Sequence, residues 1–144
     1  MSGCRQHKQL MIKHNLKIFS QNVRKNKTLT DIILETRKNI SDIILIQERP
    51  RSLLRRIPSH TNPEGNLVYG TPKHPDWSLF IQNDSCTDNY PRVATYINKC
   101  ISRLRFSLRK DLIDHRDINV IDFHNGQNVN FMINVYSDSN QTAL

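Results

Sequence analysis

Hydrophobic residues near the start of this chain fall into two short runs separated by a helical pattern. Residues 16–23 form a strand-like run, and residues 42–47 form a second, more strongly apolar run that is typical of a buried strand. Between them, residues 27–39 place Leu29 and Ile33 at helical spacing. The order strand, helix, strand predicts two parallel strands joined by a helical crossover.

The rest of the chain predicts a long loop followed by strands alone. Residues 49–75 hold five of the six prolines and two of the four glycines, which predicts a loop, with a short helical turn at 52–56. Asn125-Gly126 is a hairpin signal. The pattern predicts an α/β fold with a mixed sheet or two packed sheets. Strand-like runs occur at 77–82, 93–98, 104–109, 118–124 and 130–136.

Length and composition indicate one domain or part of one. The chain has 144 residues, of which residues 1–15 are predicted to be a basic, poorly ordered lead-in and residues 16–144 the folded part. No apolar run approaches the roughly 20 residues of a membrane span, and no secretory signal is visible, so we expect a nuclear or cytoplasmic protein. Cys4, Cys86 and Cys100 are odd in number and irregularly spaced. They predict neither a zinc site nor a disulfide framework, which fits a reducing compartment.

Positive charge is concentrated in the first part of the chain. Residues 1–60 hold 13 Lys or Arg against 4 Asp or Glu, whereas residues 61–144 hold 8 against 9. An excess of basic residues in one part of the chain suits binding to a polyanion such as nucleic acid, although a solvated basic surface explains the excess equally well. The candidate phosphate ligands are Arg49, Arg51, Arg55 and Arg56 in the loop, and Arg103, Arg105 and Arg109, which alternate along one strand.

Three polar side chains follow apolar strand-like runs: Asn22, Glu48 and Tyr136. Ligands of α/β proteins bind at the ends of strands, so these groups are the candidate site. Glu48 could hold Mg²⁺ together with substrate phosphate oxygens, or it could pair with a neighbouring arginine. Asn22 could orient a phosphate or cap a turn, and Tyr136 could donate to a phosphate or pack in the core. The acidic segment 111–117 is interpreted as a solvated turn.

Four segments of the chain form a recognisable set. They are Ile18-Phe-Ser-Gln-Asn22-Val, Ile43-Ile-Leu-Ile-Gln-Glu48, the loop from Ile57 to Trp77, and Phe131-Met-Ile-Asn-Val-Tyr136. In this order they resemble the endonuclease/exonuclease/phosphatase superfamily, especially the endonuclease domains of non-LTR (LINE-type) retrotransposons. The resemblance implies a two-sheet sandwich and hydrolysis of phosphodiester bonds with Mg²⁺. It also implies that Glu48 is the metal ligand, that Asn22 lies near metal and phosphate, and that Tyr136 holds the scissile phosphate.

Two motifs of that family do not occur in the chain. These are Gly-Asp-x-Asn, whose aspartate activates water, and a terminal Ser-Asp-His. We therefore expect an incomplete, C-terminally truncated endonuclease domain that binds DNA and has negligible activity alone. No small-molecule cofactor besides the metal is implied, and the oligomeric state is left open. The alternatives are a nucleic-acid-binding module without chemistry and a phosphatase of the same superfamily.

Overall fold

The computed structural model describes residues 16–50, 54–57, 60–61, 63–69, 74–81, 91–101, 105–125 and 128–137. The predicted lead-in at residues 1–15 lies outside this part of the chain. One helix and nine strands are assigned in it, with a 3₁₀ turn at Lys99–Ile101. In chain order they are β1 (Ile18–Asn22), α1 (Lys27–Thr36), β2 (Ile43–Gln47), β3 (Leu54–Ile57), β4 (Asn66–Tyr69), β5 (Trp77–Phe80), β6 (Val93–Asn98), β7 (Arg105–Leu108), β8 (Ile118–Asn125) and β9 (Asn128–Val135).

The first sheet has four strands in the order β1-β2-β6-β5. β1 and β2 are parallel and are joined through α1, which confirms the predicted crossover, while β6 runs antiparallel to both β2 and β5. The helix begins where Asn26 accepts a hydrogen bond at Oδ1 from the backbone N–H of Leu29, at 2.9 Å. Parallel pairing puts the carboxyl ends of β1 and β2 at the same edge of the sheet.

The second sheet is antiparallel, in the order β7-β8-β9. β8 pairs with β9 from Ile118↔Val135 to Asn125↔Asn128, which confirms the predicted hairpin. The segment predicted as a loop instead contains a two-stranded pair, β3 with β4. The helical turn predicted at 52–56 is wrong, because residues 54–57 are extended and pair with residues 66–69. Pairing between these two neighbouring segments outweighs the local density of prolines, none of which falls inside either strand.

The core has two layers, one on each side of the first sheet. Ile44 and Ile46 of β2 face α1, whereas Ile43 faces the second sheet, so β2 is buried on both faces. This explains why its sequence is continuously apolar. Trp77 is 1 % exposed in the helix-side layer and donates from Nε1 to the Leu34 carbonyl, at 2.9 Å. The described residues thus form a helix, a four-stranded sheet, a three-stranded sheet and the separate β3–β4 pair, part of an α/β sandwich.

Two further predictions concern the cysteines and membrane-spanning segments. Cys100 takes part in a disulfide bond, which the sequence analysis did not predict. Its partner lies outside the described residues. In the part of the chain that the structure covers, no helix is long and apolar enough to cross a membrane.

Candidate active site at the strand ends

Asn22 and Glu48 meet at the carboxyl edge of the parallel pair. Asn22 is in register with Gln47, so Glu48 is the next residue beyond the paired region. The Asn22 Nδ2 amide donates a hydrogen bond to Glu48 Oε1, at 3.0 Å. The structure therefore brings together two of the three side chains that the sequence predicted to converge.

The backbone around this contact is held in an unusual conformation. Glu48 has a φ of 47°, in the left-handed region that glycine favours. Its carbonyl accepts a hydrogen bond from the backbone N–H of Lys25, at 2.7 Å. The Asn22 Oδ1 atom accepts from the backbone N–H of Arg24, at 2.9 Å. The turn after β1 and the residue after β2 are thus fixed to each other by hydrogen bonds.

A buried amide joins the second sheet to the first just behind this edge. Asn134, on β9, is 1 % exposed and accepts a hydrogen bond at Oδ1 from Gln47 Nε2, at 2.8 Å. Its Nδ2 group donates to the Ala94 carbonyl, at 2.9 Å, and more weakly to the Ile46 carbonyl, at 3.3 Å. Because Gln47 directly precedes Glu48, these bonds tie the end of β9 to the end of β2. Sequence reasoning missed Asn134, although an amide between the apolar residues Ile133 and Val135 was the available signal.

Tyr136 directly follows β9 and contacts both members of the Arg92–Asp117 ion pair. Its backbone N–H donates to the Asp117 carbonyl, at 2.9 Å, and the guanidinium carbon of Arg92 lies 4.7 Å from the centre of its ring. Arg92 binds the Asp117 carboxylate through both Nε and Nη2. The Arg92 carbonyl in turn accepts from the backbone N–H of Arg49, the residue after Glu48, at 3.1 Å. This chain of contacts connects Tyr136 to the same edge.

The interpretation of segment 111–117 as a solvated turn is wrong for Asp117, which is 8 % exposed and paired with Arg92. Arg49 also departs from its predicted position. It is 2 % exposed, and its Nη1 donates to the Pro91 carbonyl, at 3.4 Å. An interior guanidinium cannot act as a surface ligand for nucleic acid.

The other predicted arginines divide into two groups. Arg105 is exposed on the outer face of β7, opposite His124 of β8. Arg109 forms ion pairs with Asp111, at 2.7 Å, and with Asp122, at 2.9 Å, so its charge is already balanced. A hydrogen bond from Ser107, and then the one from Arg109, lower the pKa of Asp122. The side chains of Arg51, Arg55, Arg56 and Arg103 lie outside the described residues.

The oxygen atoms at the edge suit a hard cation. Among the described residues, no group of three or more His, Cys, Asp or Glu side chains could hold a metal ion. Magnesium, however, is commonly held by one or two carboxylates together with water and substrate phosphate oxygens. The Glu48 carboxylate, oriented by Asn22, meets that lower requirement and is the group that would hold a divalent ion.

Comparison with known proteins supports the same fold. No family model and no curated protein matches the chain. Among solved structures, it is similar to the endonuclease domain of TRAS1, a telomere-specific non-LTR retrotransposon, with a TM-score of 0.58 and 16 % sequence identity. The match covers 88 % of this chain and 48 % of that domain, so the chain spans about half the length of the domain it matches. The resemblance predicted from the sequence is thus confirmed at the level of the fold.

Proposed function

We propose that the chain is part of a metal-dependent DNA endonuclease domain of a retrotransposon-like protein, in which Glu48 binds a divalent cation, Mg²⁺ in the cell. The observation that carries this proposal is the hydrogen bond from Asn22 to Glu48, because it presents an oriented carboxylate at the end of two parallel strands. The fold shared with the TRAS1 endonuclease domain supports the reaction class.

Each polar group at the edge has a distinct role in this proposal. Glu48 holds the cation, and the Asn22 amide fixes the carboxylate and lies beside the phosphate. Tyr136, whose ring is stacked against Arg92, donates its phenol to a phosphate oxygen. The metal, when bound, stabilises negative charge on the phosphoryl group.

These 144 residues alone are expected to cleave DNA hardly at all. They contain neither Gly-Asp-x-Asn nor Ser-Asp-His, the motifs in which the resembled family carries the aspartate that activates water and the histidine that completes the site. General acid–base catalysis is typically worth about 10²–10⁴-fold in rate. A test of the site must therefore measure metal binding as well as cleavage.

The proposal is tested by titrating Mn²⁺ against the chain and following free Mn²⁺ by electron paramagnetic resonance. Glu48→Gln should weaken binding at least about tenfold, since even changes beyond the direct ligands often cost that much. The matched control is Glu35→Gln, an exposed glutamate on α1 that pairs with Lys38 and should leave binding unchanged.

Supercoiled plasmid with Mg²⁺ gives the second measurement, in which nicking by the wild-type chain should barely exceed that of Glu48→Gln. Equal Mn²⁺ binding by the wild-type chain and Glu48→Gln would refute the metal site. If the chain then still bound DNA in a salt-sensitive manner, its function would be that of a nucleic-acid-binding module. The positive charge of residues 1–60 favours a nucleic acid over a small phosphorylated substrate as the ligand.

A further inference from the structure

The turn between β1 and α1 carries two cations in an unfavourable backbone conformation. Arg24 and Lys25 have φ values of 51° and 62°, and neither is glycine or asparagine, the residues that tolerate this region best. Both side chains are exposed. Local packing does not account for arginine and lysine at these positions, because their side chains project into solvent.

The turn is attached directly to the candidate metal site. The Arg24 N–H donates to Asn22 Oδ1, and the Lys25 N–H donates to the Glu48 carbonyl. The two cations therefore lie within two or three residues of Asn22 and on the same edge as the Glu48 carboxylate.

The charges of Arg24 and Lys25 are also available to a ligand, because both side chains are exposed. No acidic side chain among the described residues pairs with either of them. By contrast, some of the other described basic residues are paired with acids, namely Lys27 with Asp31, Lys38 with Glu35, Arg92 and Arg116 with Asp117, and Arg109 with Asp111 and Asp122.

We propose that Arg24 and Lys25 form a phosphate-binding turn that holds the backbone of duplex DNA beside the Glu48 site. The left-handed backbone keeps both N–H groups bonded to the site while the side chains extend outwards. Guanidinium and ammonium groups bind phosphate oxygens without reading sequence, so the contact sets position and affinity rather than specificity. The inference rests on the nucleic-acid part of the proposed function and is independent of the metal.

The test measures binding of the whole chain to a fluorescein-labelled 20-base-pair duplex by anisotropy, in EDTA, across a range of salt concentrations. Each phosphate contact contributes about 0.9 to the slope of log affinity against log salt. Arg24→Gln/Lys25→Gln should therefore lower that slope by roughly 1.8 and weaken binding about tenfold or more at 0.1 M salt. Lys110→Ala, an exposed lysine in the turn after β7, should leave both unchanged.

A second variant separates the effect of the side-chain charges from the effect of the backbone conformation. Arg24→Gly/Lys25→Gly removes the same charges but lets the backbone take positive φ without a Cβ clash. It should bind DNA as weakly as the glutamine variant while its thermal midpoint is at or above that of the wild type. An unchanged salt slope in both variants, an equal loss in Lys110→Ala, or no salt-dependent binding by the wild-type chain would overturn the proposal.

Failure of the metal site gives a different result. Glu48→Gln removes a negative charge from the same edge, so it should bind DNA in EDTA at least as tightly as the wild type. A chain that binds DNA through the turn but shows no Glu48-dependent Mn²⁺ binding would retain this inference and lose the proposed function.

Discussion

The structure predicts that Asn134→Ala will be among the most destabilising single substitutions at the join between the sheets. Asn134 is 1 % exposed, accepts one hydrogen bond from Gln47 and donates to the Ala94 carbonyl. Truncation leaves that buried carbonyl and the glutamine amide without this partner, at about 1–3 kcal/mol for each unsatisfied group. Gln47 is half-buried and keeps Ser20 as a neighbour, so its share lies at the lower end. We expect a total loss of roughly 3 kcal/mol.

Urea unfolding followed by the fluorescence of Trp77 measures this loss. Trp77 is the only tryptophan and is 1 % exposed, so its emission should shift to the red when the core opens. The matched control is Asn130→Ala, on the same strand but exposed, which should stay within about 0.5 kcal/mol of the wild type. A loss below about 1 kcal/mol in Asn134→Ala, or an equal loss in Asn130→Ala, would refute the reasoning.

Two further predictions concern the second sheet. Hydrogen bonds lower the pKa of Asp122 in the folded chain. The ionised carboxylate therefore stabilises the folded state at pH values above the pKa of an aspartate in the unfolded chain, about 3.9. This contribution is lost as pH falls through the folded value. The difference in urea midpoint between wild type and Asp122→Asn should therefore shrink between pH 6 and pH 2, and a constant difference would contradict it. On the outer face of β9, Phe131 and Ile133 are 54 % and 56 % exposed. This exposed apolar face is expected to promote self-association, so Phe131→Lys/Ile133→Lys should reduce light scattering on concentration without lowering the thermal midpoint. Unchanged scattering would contradict this.

The parallel pair and its edge could be predicted from sequence because their signals are local. β2 is apolar on both faces, so it is recognisable as a buried strand. A carboxylate directly after such a strand must lie at the edge of the sheet. Helical spacing between the two strands then fixed their relative direction. Register placed Asn22 opposite Gln47, and so beside Glu48.

The features that sequence reasoning missed depend on contacts between distant segments. β3 and β4 lie in a proline-rich segment whose composition predicts a loop, and only their mutual pairing makes them strands. Asp117 looked like part of a solvated acidic turn, but Arg92, which is 25 residues away, binds it beneath Tyr136. Arg49 was predicted to be a phosphate ligand together with the arginines of the loop that follows it. It is buried and bonds the Pro91 carbonyl, a contact between distant residues that no local pattern specifies.

Backbone strain gives a separate reason to place function at this edge. Among the described residues, three that are not glycine have positive φ, namely Arg24, Lys25 and Glu48, and all three lie where β1 and β2 end. Each such residue costs on the order of 1–3 kcal/mol, and the surrounding hydrogen bonds must offset that cost. A sequence selected for stability alone would place glycine at these positions. Charged side chains there are explained most simply if each one binds something, with Glu48 holding a cation and the two basic residues holding phosphate.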